Sequence, residues 1–166
     1  MTAQISDNLI IDGGAVDFMG CPPLPWHDPR LVKLTDREAK RAGHERWLGT
    51  TACWRRYVAT WYISDDRLYL GSIDGIYRFD VDAPVFADWV TQELKIVHGE
   101  VLHSVNMGFG SVFEREVFLN VVDGVVVGRT EKDNRGLEFD WRELSLKHLP
   151  TANTIAPGKE PNEIDL

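Results

Sequence analysis

Thiols are scarce in this chain. Cys21 and Cys53 are its two cysteines, and neither belongs to a Cys-x-x-Cys pair. That spacing excludes a disulfide framework, a zinc knuckle and a dithiol redox motif, and it fits a reducing compartment. Basic charge is also short: 18 Lys and Arg against 26 Asp and Glu give a formal charge of -8. A field of that sign repels phosphate backbones and anionic membranes, so nucleic acid is not an expected partner. No run of about 18 apolar residues occurs, and Met1 to Gly20 lacks a basic start followed by an unbroken apolar stretch. Neither a membrane span nor a secretion signal is expected, which points to a cytoplasmic protein. His-x-His, His-Glu-x-x-His, a phosphate loop and a Gly-x-Ser-x-Gly elbow are all missing, so no metal or cofactor is expected.

What is present is globular. Hydrophobic residues make up 43% and charged residues 27% of the 166, with six Trp, seven Phe and four Tyr to build a core or a recognition surface. The expectation is one domain over residues 1–150, followed by a mobile tail over 151–166 that is small, polar and without periodicity.

Asn8 to Asp12 reads as a strand closed by Gly13-Gly14. Cys21-Pro22-Pro23-Leu24-Pro25-Trp26 must be extended, because each proline fixes its own φ and restricts the residue before it. It has the look of a polyproline ligand, but an irregular connection with Trp26 anchored in the core is the simpler expectation. Thr35 to Glu38 has capping-box spacing and predicts a short surface helix ending at Gly43.

From Tyr57 to Asp80, β-branched and aromatic runs are separated by Asp65-Asp66 and Asp74-Gly75, which predicts two tight hairpins. The first sets Trp61 opposite Leu70 and Ile63 opposite Leu68, with Tyr62 opposite Tyr69 on the other face. The second sets Leu70 opposite Phe79. Pro84 to Val90 is expected to be a short helical plug, Leu94–Val97 and Val101–Val105 two further strands, and Val112 to Thr130 a long hairpin turned at Asp123-Gly124. Asp140 to Glu143 has the spacing of one more helix cap.

The run Ala52-Cys53-Trp54-Arg55-Arg56-Tyr57-Val58-Ala59-Thr60-Trp61, with Leu68-Tyr69-Leu70, Phe86-Ala87-Asp88-Trp89 and Met107-Gly108-Phe109-Gly110-Ser111, resembles a group of uncharacterised bacterial proteins. The likeness covers about half the chain. It implies a bacterial, β-rich domain and carries no activity, cofactor or site residue with it.

Candidate chemistry is thin. A two-residue turn at Asp123-Gly124 puts Glu116 opposite Glu131 and Glu114 opposite Asp133, gathering four carboxylates at one hairpin end. Such a cluster requires solvent screening, a hard cation or a basic protein partner. Arg115 falls among the apolar residues of the opposite face, where Asp88 or Glu93 is the expected counter-ion. His98 and His103, and Cys53 beside Arg55 and Arg56, have no diagnostic spacing. Phe109, in the Gly108–Ser111 loop, is either an exposed anchor or folded back on the core.

The resulting expectation is an antiparallel β-barrel or curved β-sandwich with two or three short helices. Its expected role is that of a non-catalytic binding domain, such as an immunity-type inhibitor of a bacterial toxin, meeting a basic partner through Glu114, Glu116, Glu131, Asp133 and Phe109. The alternative is a small-molecule-binding barrel or enzyme whose cavity is lined by Trp54, Tyr57, Trp61 and Tyr77, with His103 or Arg115 as the polar group.

Overall fold

A computed structural model describes residues 3–82, 84–106 and 108–136, and the compact unit ends at Arg135. The tail over 151–166 and the helix cap expected at Asp140 to Glu143 lie outside the described residues.

The domain is mainly β. Its strands are β1 (Asn8–Ile11), β2 (Gly14–Val16), β3 (Leu31–Lys33), β4 (Tyr57–Ser64), β5 (Arg67–Gly75), β6 (Tyr77–Phe79), β7 (Val85–Phe86), β8 (Gln92–His103), β9 (Val112–Val122) and β10 (Val125–Asp133). The main sheet runs β2-β1-β4-β5-β10-β9-β8, with β7 also on β5, and β3 and β6 form a separate ribbon. Residues following β2 reach the other end of this order: Phe18 bridges Ile96 of β8, and the Met19 amide donates to the Lys95 carbonyl. The sheet therefore curls into a nearly closed barrel. All its strand pairs are antiparallel except β1 on β4, which is parallel and sets Leu9 beside Trp61 and Ile11 beside Ile63.

Two turns follow from sequence directly. Asp65-Asp66 and Asp123-Gly124 both hold two successive positive φ angles, 50° and 57° in the first and 48° and 79° in the second. That is the hairpin turn whose twist matches its flanking strands. Across the first, Trp61 faces Leu70, Tyr62 faces Tyr69 and Ile63 faces Leu68, the register the alternation predicts. Trp61, Ile63, Leu68 and Leu70 all enter the core. The helix α1 (Asp36–Arg41) begins with the full Thr35–Glu38 capping box.

The second predicted hairpin does not form. Asp74 and Gly75 lie within β5 opposite Val58 and Tyr57, and β6 pairs with β3 rather than folding back on β5. Strand β4 is long enough to occupy β5 to its end, and Gly75 allows it. A Cβ there would come within 2.4 Å of the Arg56 carbonyl oxygen and the Tyr57 Cα. The segment expected as a helical plug is likewise extended: β7 pairs Phe86 with Tyr69 and Val85 with Leu70. The two strands expected around His98-Gly99 are one strand, β8, with register shifts between His98 and His103. Helix among the described residues is limited to α1 and one 3-10 turn, Glu45–Trp47, and no helix there is long and apolar enough to cross a membrane.

The barrel is filled. Leu9, Trp61, Leu68, Leu70, Leu94 and Val121 are each at most 2% exposed and occupy its interior.

Candidate functional site

A buried carboxylate fastens the N-terminal segment to β4. Asp7, in the extended segment leading into β1, has a fully buried side chain that accepts three hydrogen bonds. They come from the Ala59 amide (3.0 Å), the Trp61 indole (2.9 Å) and the Arg55 guanidinium (2.7 Å). Burial pushes the Asp7 pKa up, and its three donors only partly offset that cost. Arg55 lies over the Tyr57 ring at 5.3 Å, and its Nε is buried without a hydrogen-bond partner. Burial raises the Tyr57 phenol and the Cys21 thiol well, while the Cys53 thiol donates to the Tyr57 carbonyl. This cluster ties the N-terminal segment to β4, a structural role.

Of the expected aromatic cavity, the structure brings together only Tyr57 and Tyr77, whose rings meet edge-on at 5.6 Å. Trp61 is fully buried in the core, whereas Trp54 is 62% exposed. His103 is half-buried at the far end of β8, opposite Val112. Arg115 is exposed rather than inward, and neither Asp88 nor Glu93 pairs with it; its neighbours across the sheet are His98 and Asp133. The side chains that reading required are therefore not gathered around one cavity.

The acidic hairpin end is also rearranged. Val127 is an extra residue in β10, so the pairing slips by one position: Asn120 faces Gly128, Glu116 faces Lys132 and Asp133 faces Arg115. Glu116 is buried and ion-paired with Lys95 at 2.9 Å, and it also accepts from the Phe113 amide. Glu114 accepts from the Glu100 amide. Glu131 is held by Arg129 and Asp133 by Arg135, the latter drawing the Asp133 pKa down to about 2. Three of the four carboxylates are thus ion-paired, while Glu114 meets a backbone amide, and Glu116, Glu131 and Asp133 line one shared pocket with Arg115 and His98. Phe109 is half-buried in its loop.

Open grooves of about 610 Å³ beside Asp7, Phe18 and Phe113 and about 480 Å³ at Glu116, Glu131 and Asp133 mark the barrel surface, and two other features bear on binding. The first is a cleft of about 270 Å³ between α1 and the β5–β6 region, lined by His44, Glu38, Ser72 and Tyr77 among apolar residues. There His44 Nδ1 lies 2.7 Å from Asp74, which also holds Arg46. The second is a mostly apolar groove of about 450 Å³ around the proline segment, walled by Trp26 and Trp89 over Pro23, Leu24 and Pro25. Trp26 is 50% exposed rather than anchored in the core, with its ring edge-on to Tyr57 and Tyr77 at 6.1 and 5.2 Å. Trp89 donates its indole N–H to the Pro23 carbonyl at 2.8 Å. At the rim Asp28 is occupied by Arg30, which holds its pKa down at about 2, whereas Asp88 is exposed and makes no hydrogen bond or ion pair among the described residues.

The proline segment and the Phe86–Trp89 run stand apart in the sequence. Nothing local links residues so far apart, and the Trp89–Pro23 hydrogen bond joins them. Among the described residues, no group of three or more His, Cys, Asp or Glu is placed to hold a metal ion. No protein-family model, curated protein or solved structure matches the chain.

Proposed function

We propose that this protein is a non-catalytic protein-binding domain, acting in the manner of an immunity-type inhibitor that captures a basic bacterial partner. One observation carries the reading. The barrel interior is filled while two tryptophans, Trp26 and Trp54, stand half-exposed or more on its surface. Tryptophan is costly to leave in water and is enriched among residues that dominate protein interfaces. The formal charge of -8 favours a basic partner through its long-range field, without any one acidic hairpin. Affinity capture from the native host followed by native mass spectrometry tests this. A one-to-one complex with a basic protein, formed more slowly at high salt, supports the reading. Absence of any stoichiometric protein partner contradicts it.

A second reading, small-molecule binding, draws on the His44 cleft. Asp74 engages Nδ1, leaving Nε2 of the same ring without a partner among the described residues. A small ligand that shifts the His44 ring resonances would favour this reading.

A further inference from the structure

We propose that the groove between Trp26 and Trp89 is an arginine-binding site, which receives a guanidinium side chain of the basic partner. The inference rests on the protein-binding reading and gives that surface a place and a chemistry.

The groove is lined by two tryptophans, two prolines and a leucine, with His27, Asp28 and Asp88 as its polar residues, so it offers mainly aromatic and apolar surface. A hydrated anion gains nothing from such walls and is repelled by the rim. A purely apolar side chain would fill the groove, but it would also strip water from Asp88 without replacing the lost hydrogen bonds. A guanidinium satisfies both parts. Its planar face stacks on indole, its aliphatic stem covers proline, and its N–H fork meets a carboxylate. Asp88 is suited to that last contact because it is exposed and has no partner among the described residues, unlike Asp28, which Arg30 has already neutralised.

The site is rigid before any ligand arrives. Pro22, Pro23 and Pro25 restrict the backbone, the Trp26 amide donates to the Leu24 carbonyl, and the Asp28 amide closes a turn onto the Pro25 carbonyl. The Trp89 indole pins Pro23 from the opposite wall. Little conformational freedom remains to be lost on binding.

The test uses the full chain and a blocked Gly-Arg-Gly-Arg-Gly peptide, with the citrulline peptide as a neutral isostere. Binding is followed by the indole N–H resonances of the tryptophans. The arginine peptide should shift Trp26 and Trp89 while leaving Trp54 unmoved, and citrulline should bind at least fivefold more weakly. Asp88→Asn should weaken arginine binding at least fivefold with an unchanged melting temperature. Trp26→Ala should abolish it, and Trp54→Ala should leave it intact. Equal binding of the two peptides, or arginine-induced shifts that bypass Trp26 and Trp89, overturns the arginine site. If a captured partner then still binds Asp88→Asn and Trp26→Ala as tightly as the parent, the arginine site fails while the protein-binding reading stands. Absence of any stoichiometric partner fails that reading instead.

Discussion

The indole of Trp61 donates a 2.9 Å hydrogen bond to the buried carboxylate of Asp7, so the largest fully buried side chain is also the one that holds the N-terminal segment in place. Its two contributions, packing and hydrogen bonding, are separable by mutation. Trp61→Ala removes both and should cost about 3 to 5 kcal/mol through the cavity it leaves. Trp61→Phe keeps most of the packing but takes one donor from Asp7, which should cost about 1 to 3 kcal/mol. Tyr62→Ala, on the outer face, should cost less than either. Denaturant unfolding of the three variants checks the order.

Asp7 and Asp28 should move stability in opposite directions with pH. Burial raises the folded pKa of Asp7, so the folded state holds a proton that the unfolded chain has released. The stability this group contributes is complete below its unfolded pKa and drains away as pH rises through the raised folded value. Asp28 is held at about 2 by Arg30, so its contribution is present above its unfolded pKa and is lost as pH falls toward 2. Unfolding of the parent, Asp7→Asn and Asp28→Asn across the acid range should show this. Relative to the parent, Asp7→Asn should look worst below about pH 4 and less so as pH rises, whereas Asp28→Asn should look best at the acid end.

Glu116 and Glu131 should respond differently to the same substitution. A two-residue turn followed by a regular ladder predicts that replacing either by Gln relieves a repulsion. With the extra residue at Val127, Glu116 instead sits buried against Lys95. Glu116→Gln should therefore destabilise the fold by about 1 to 3 kcal/mol. Glu131→Gln, exposed beside Arg129, should stay within about 0.5 kcal/mol of the parent. Equal effects, measured by thermal or denaturant unfolding, would restore the regular register.

The contrast between the two hairpins shows what was legible in sequence. Asp65-Asp66 and Asp123-Gly124 announce their turns because few other residues tolerate successive positive φ angles, and the first hairpin keeps its register as far as Trp61. The second carries one extra valine in a run of valines, which has no local signature yet turns every later side chain to the other face. Asp74-Gly75 has the composition of a turn, but the length of β4 overrides it. Asp7 reads as an ordinary surface acid, since its burial depends on Arg55 and Trp61. The Trp26 groove depends on a Trp89–Pro23 hydrogen bond between distant parts of the chain. Short-range chemistry was readable, whereas contacts assembled by the closing of the barrel were not.

The most direct test of where this domain meets its partner is amide hydrogen exchange on the captured complex. The account predicts added protection at Leu24, Trp26, His27 and Asp28 together with Asp88 and Trp89, and unchanged exchange at Glu131, Lys132 and Asp133 of the β10 end. Protection confined to the β10 end, with the proline segment exchanging as in the free protein, would contradict it.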